Sequence, residues 1–202
     1  MVETYLSQGK AKYQKNDLDG AIGDFSKAVA LAPKNSVALY NRGAARQAKG
    51  DLAGAVADFS KAMEIDPTLP LAYFSRGKAE ADQRNTDAAL ADFAKAIEED
   101  PKFAPVYFER GKVRALKGDQ DGAIDDFTQS LQFDPNQAAA YSDRGFARQA
   151  RNDLEGAVAD YTQALVLNPN MAGTYFNRGC AEQLQGNLDG AILDFDLSLI
   201  HI

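Results

Sequence analysis

Residues able to do covalent or metal chemistry are scarce in this 202-residue chain: one cysteine, Cys180, one histidine, His201, and no tryptophan. A cysteine nucleophile needs a general base beside it. His201 lies in a tail that departs from the pattern of the rest, so Cys180 reads as a small apolar filler. The string Asp119-x-Asp121-Gly122 begins like a calcium loop, but the twelfth position, where a bidentate Glu belongs, is Ser130. No Walker loop, serine elbow or metal-ligand spacing occurs. These residues imply no catalytic centre, no metal and no cofactor, and so no enzyme.

The remaining chemistry is charge and aromatic surface. Arg42, Arg76, Arg110, Arg144 and Arg178 recur at one spacing, and Asp24, Asp58, Asp92, Asp126, Asp160 and Asp194 recur at the same spacing. A guanidinium fork matches a carboxylate with two parallel hydrogen bonds, and charges held between helices are normally paired in this way. An anion-binding arginine ladder is the competing reading. A second set, Tyr40, Asn41, Phe74, Lys78, Phe108, Lys112, Phe146 and Phe176, interleaves aromatics with lysines. A net charge of −7 argues against a nucleic-acid partner. No apolar run approaches the ~20 residues that cross a bilayer. With no signal-like N-terminus, the expectation is a cytoplasmic protein.

These columns belong to a period. Pro33, Pro67, Pro101, Pro135 and Pro169 are each 34 residues apart. Gly9, Gly43, Gly77, Gly111, Gly145 and Gly179 keep the same interval, as do Ala21, Ala55, Ala89, Ala123, Ala157 and Ala191. So do Phe25, Phe59, Phe93, Phe127, Tyr161 and Phe195, each three residues before a small residue. Self-similarity at this period marks a stack of supersecondary units. The units run 2–35, 36–69, 70–103, 104–137, 138–171 and 172–202, the last incomplete.

Each unit reads as two helices. Asp66-Pro67, Asp100-Pro101, Asp134-Pro135 and Asn168-Pro169 predict a capped start for the first helix. Gly50, Gly118 and Gly186 predict its end, with Asn16 and Asn152 as substitutes and Arg84 a strained occupant of the same place. Asp17, Asp51, Asn85, Asp119, Asp153 and Asn187 predict the N-cap of the second helix. No period-two alternation occurs, so no sheet is expected. A mid-helix glycine costs roughly 1 kcal/mol against alanine. Six of them imply close helix crossings, with Gly43 facing Ala55 and Ala62 beside Phe59.

A 34-residue hairpin with small residues at positions 8, 20 and 27, an aromatic at 24 and Pro at 32 resembles the tetratricopeptide repeat (TPR) family over essentially the whole chain. The resemblance implies an all-α, right-handed superhelical solenoid of six stacked helix-turn-helix repeats. It implies a protein-interaction scaffold that docks a peptide or helix against its first helices, at positions 2, 5, 6, 9, 12 and 13. Gathered on one face, which is what the resemblance implies for them, the aromatics and lysines from Tyr40 to Phe176 suit an apolar peptide carrying acidic groups. Two columns depart from the family. Position 7, usually Leu, is Gln8 and then the arginine series. Position 11, usually apolar, is Lys12, Arg46, Glu80, Arg114, Arg148 and Glu182. Position 23, Asp in every unit, offers the arginines a partner within the hairpin, Arg42 with Asp58, or in the neighbour, Arg42 with Asp24. The family's carboxylate clamp for chaperone tails is missing, since its places hold Leu6, Lys10, Asn41, Leu71 and Ser75.

The last residues break the pattern. Leu197-Ser198-Leu199-Ile200-His201-Ile202 is an apolar string, and it is also what a transposase adapter of sequencing libraries encodes. The expectation is that 197–202 is a read-through artefact on a truncated frame. The chain would then be a scaffold in its own right or the interaction portion of a longer enzyme or sensor. An uncovered C-terminal face also predicts self-association through that end.

Overall fold

A computed structural model describes residues 1–200, Pro70 by its backbone alone. His201 and Ile202, the end of the anomalous tail, lie outside the described residues. The described chain forms α1 (Val2–Gln14), α2 (Leu18–Leu31), α3 (Ser36–Lys49), α4 (Leu52–Ile65), α5 (Pro70–Asp82), α6 (Thr86–Glu99), α7 (Ala104–Leu116), α8 (Gln120–Phe133), α9 (Ala138–Ala150), α10 (Leu154–Leu167), α11 (Ala172–Gln185) and α12 (Leu188–Ile200). There is no strand among the described residues. The chain divides into two compact units, Met1–Pro101 and Lys102–Ile202. The first holds α1 to α6 and the second α7 to α12.

Inside each unit, helices pack in consecutive pairs, and each second helix also packs on the first helix that follows it. First helices touch one another as well: α1 with α3 and α3 with α5, then α7 with α9 and α9 with α11. Odd-numbered helices therefore present one continuous face within a unit.

The core of each hairpin is an aromatic ring driven against a glycine. Phe25, Phe59, Phe93, Phe127 and Tyr161 are fully buried. A Cβ on Gly43 would lie 2.8 Å from Cε1 of Phe59, and one on Gly111 2.8 Å from Cε1 of Phe127. The nearest neighbour that demands glycine is thus the ring itself, and a backbone carbonyl adds a second contact at Gly43, Gly145 and Gly179, from Ala55, Ala157 and Ala191 at 3.2–3.3 Å. For four of the rings an alanine of the next first helix in the same unit joins the same buried cluster: Ala45 with Phe25, Ala79 with Phe59, Ala147 with Phe127 and Ala181 with Tyr161. One aromatic column hence joins both the helices of a hairpin and two successive hairpins. Burying such a side chain is worth roughly 1.5–3 kcal/mol.

The turns inside hairpins carry positive φ at Gly50, Gly118 and Gly186, and also at Asn16 (61°), Arg84 (65°) and Asn152 (64°). A left-handed backbone suits glycine and is tolerated by asparagine; in arginine it is strained. Side-chain oxygens of Asp17, Asp51, Asp119 and Asp153 accept the N–H three residues on. Asn187 does the same for Gly190 at 3.2 Å, whereas Asn85 makes no such cap; the amides of both donate to a glutamate five residues back, Glu182 and Glu80.

The Asp-Pro and Asn-Pro pairs do not cap the first helices. Asp66, Asp100, Asp134 and Asn168 instead close α4, α6, α8 and α10, in extended backbone. A residue before proline is pushed out of helical φ/ψ, so the preceding helix must end there. Asp66, Asp134 and Asn168 then accept the N–H two residues on, at 3.1 Å each, and bend the chain into the next repeat. The helix that follows starts later, at Pro70, Ala104, Ala138 and Ala172.

Candidate functional site

The position-23 aspartates lie on second helices and face back into their hairpins. Asp58, Asp92, Asp126, Asp160 and Asp194 are all buried. Arg42 donates from Nε and Nη2 to the two carboxylate oxygens of Asp58, at 2.8 and 2.6 Å. The same fork joins Arg76 to Asp92, Arg110 to Asp126, Arg144 to Asp160 and Arg178 to Asp194. Asp24, whose repeat has Gln8 in place of arginine, is held by Lys12 at 2.6 Å and Lys27 at 3.3 Å. The Lys12 hydrogen bond keeps the Asp24 carboxyl below its ordinary range despite burial. Arg76, Arg144 and Arg178 also reach a hydroxyl of the preceding repeat, on Ser60, Thr128 and Thr162. Each of these five forks is filled by the carboxylate of its own hairpin.

The position-11 residues complete the network in a way that no one column discloses. Arg46, Arg114 and Arg148 add a second cation to Asp58, Asp126 and Asp160, at 2.7–2.9 Å. They also approach the N-cap aspartates Asp51, Asp119 and Asp153, at 3.5–3.8 Å. Where position 11 is Glu, the N-cap is Asn: Glu80 accepts from Asn85 at 2.7 Å, and Glu182 from Asn187 at 3.4 Å. The two columns change together in every repeat, and that covariation is legible in the sequence. Glu182 faces buried Asp194, and burial together with that charge raises its carboxyl pKa above the ordinary range.

Aromatic and lysine side chains of the first helices make up the face. Tyr40, Phe74, Phe108 and Phe176 each tilt onto the core ring of their own repeat, with centroids 5.5–6.2 Å apart. Tyr40, Phe74 and Phe108 are half-buried and so belong to core and face together. Phe146 and Phe176 are 56% and 53% exposed. Lys78 stands over the Phe74 ring and Lys112 over the Phe108 ring, at 5.7 and 5.2 Å. Asn41 is bent back, its amide donating to the Val37 carbonyl at 2.7 Å.

Two of the cavities on this face, one in each unit, are built from the same six repeat positions. In the first unit Lys10, Tyr13, Gln14, Phe25, Asn41 and Ala44 enclose about 160 Å³. In the second, Lys112, Ala115, Leu116, Phe127, Asp143 and Phe146 enclose about 260 Å³. Both are formed by positions 9, 12, 13 and 24 of one repeat with 6 and 9 of the next. Asp143, absent from the residues singled out in the sequence, sits at position 6 of the column set that the family resemblance assigns to the groove. Burial raises its pKa; the Glu109 charge adds to this and Lys112 opposes it.

Elsewhere the chemistry is sparse. Cys180 is a half-buried free thiol. No group of His, Cys, Asp and Glu able to hold a metal occurs among the described residues. No described helix is long and apolar enough to cross a membrane.

Models of the TPR repeat match residues 9–50, 45–83 and 149–186, and a second tetratricopeptide repeat model matches 74–138. No curated protein matches the chain. Among solved structures, the crystal structure of MamA is 26% identical with a TM-score of 0.76, over 85% of this chain and 94% of that one. YrrB, titled a TPR protein with an unusual peptide-binding site, is 19% identical with a TM-score of 0.75, over 88% and 91%. PilF of Pseudomonas aeruginosa is 16% identical with a TM-score of 0.85, over 96% and 88%. The likeness to the last two is one of fold.

Proposed function

We propose that this chain, which belongs to the tetratricopeptide repeat family, is a non-catalytic adaptor that holds a peptide or helix of a partner protein against its first helices. The observation that carries the reading is the pair of cavities made by identical repeat positions in the two units, each floored by a core ring and walled by face residues. Single exposed apolar residues need no explanation on a protein surface. A recurring concavity with Phe146 and Leu116 at its rim is different, because aromatic and aliphatic anchors in a pocket are where peptide affinity concentrates. The peptide-binding title of YrrB agrees with this use of the fold.

The test is selection of a phage-displayed library of random peptides on the whole chain. Enriched peptides should bind at micromolar affinity and lose at least about tenfold on the Phe146→Ala/Phe176→Ala variant, the scale of one interface anchor. The variant's helicity should match the parent's. Binding that ignores both rings would overturn the groove reading.

A further inference from the structure

We infer that the second-unit cavity receives a basic side chain carried beside a bulky apolar one on the partner peptide. This rests on the groove reading and names what the groove selects. Size is the first argument. At about 260 Å³ the cavity falls just below the roughly 300–1,000 Å³ that enclose a whole small ligand, and suits one or two side chains. Polarity is the second. Ala115, Leu116, Phe127 and Phe146 leave most of the wall apolar, with Leu116 85% exposed at the rim.

Charge decides the occupant. Lys112 also lines the cavity, but its ammonium donates to Glu109 at 2.8 Å and lies over the Phe108 ring. Asp143 has no hydrogen bond or ion pair among the described residues, and it is the charge left over. A carboxylate partly withdrawn from water without a donor is poorly solvated, and an incoming guanidinium or ammonium restores what burial removed. The repeats themselves supply a control. Position 6 is Ser7, Asn41 and Ser75 in the first unit, and Glu109, Asp143 and Asn177 in the second. Only the second unit places acids there, although the arginine forks and core rings of the two units are alike. A framework role would call for the same residue in both.

The experiment selects the random displayed library in parallel on the whole chain and on its Asp143→Asn variant, with thermal unfolding to verify that the variant is folded. The parent pool should place Lys or Arg next to Leu, Met or Phe, and the variant pool should keep the apolar residue and lose the base. Replacing the base of the best peptide by Gln should weaken binding to the parent about tenfold, and to Asp143→Asn by no more than about twofold, as expected for one charge-assisted hydrogen bond. That exchange is made on the peptide and asks nothing of the protein's stability. Pools that are apolar without basic enrichment, or acidic, would overturn this inference and leave the groove reading standing. Peptides that bind equally well without Phe146 and Phe176, or no enrichment at all, would overturn both.

Discussion

Lys10 in the first unit and Lys112 in the second stand at the same repeat position, yet their surroundings leave opposite charge behind. Lys10 has no ion pair among the described residues and meets a neutral Asn41 across its cavity. Lys112 is bound by Glu109 and meets Asp143. Ala44 in the first cavity is Phe146 in the second, and Gln14 is Leu116. Beneath these differences the hairpins share a glycine against a ring and a buried aspartate, which an arginine fork holds in every hairpin but the first, where Lys12 takes its place. The columns that hold a hairpin together vary little, because each makes a close contact inside the hairpin: Tyr161 is a buried stand-in for Phe, and Lys12 holds Asp24 where Gln8 replaces arginine. The face columns meet solvent and are free to differ. On the proposed reading, a repeat scaffold separates stability from recognition by repeat position, and the comparison can be broken at either kind of position.

The largest effect should come from the buried charges. Asp58→Ala and Asp126→Ala each strand two arginines and should each cost about 3–5 kcal/mol in denaturant unfolding. Asp92→Ala strands Arg76 alone and lacks a second cation, because position 11 is Glu80, so it should cost distinctly less. Equal costs at Asp92 and Asp126 would mean the position-11 arginines contribute nothing.

Next is the ring column. Gly43→Leu and Gly111→Leu should each destabilise by roughly 3 kcal/mol, the upper part of the overpacking range, because the new side chain must enter the space of Phe59 or Phe127. A loss below ~0.5 kcal/mol in either unit, typical of an ordinary surface site, would show that the two frames are not equivalent.

Phe146→Ala should separate recognition from stability. Its ring is 56% exposed, so the loss should be under about 1.5 kcal/mol, far from the 3–5 of a fully buried Phe. Stability falling by the full amount would place Phe146 in the frame.

Grafting sharpens the contrast directly. Asn41→Asp with Ala44→Phe gives the first-unit cavity the second unit's acid and ring. The graft should raise affinity for basic–apolar peptides several-fold, roughly half a charge-assisted hydrogen bond, because Lys10 remains to oppose it. No gain would show that the six positions do not act as a module.

The smallest effect is a pH dependence. The Glu182 carboxyl is raised above its ordinary value of 4.5, chiefly by burial and then by Asp194. Between 4.5 and the raised value the folded chain binds more protons than the unfolded one, so stability rises as pH falls through that window and is lost as pH climbs out of it. Glu182→Gln should flatten this segment of the stability–pH curve. An unchanged curve would mean that neither burial nor Asp194 shifts the Glu182 carboxyl.

The sequence by itself determined the hairpins. A 34-residue period, glycine paired with an aromatic and left-handed turn residues admit one supersecondary unit, because each feature is local or recurs at fixed spacing. It also carried the covariation of positions 11 and 16, since both residues contact one another across a turn of a few residues. The Asp-Pro pairs misled, because the same dipeptide can start a helix or stop one, and only backbone geometry distinguishes the two. What tertiary structure alone decided is which charges are left over. Lys112, Glu109 and Asp143 each carry one charge but differ in pairing: Lys112 turns to Glu109 on its own helix, α7, while Asp143 on α9 goes without. The sequence prints charges as equals; packing assigns partners, and the proposed binding surface is made from those it leaves without one.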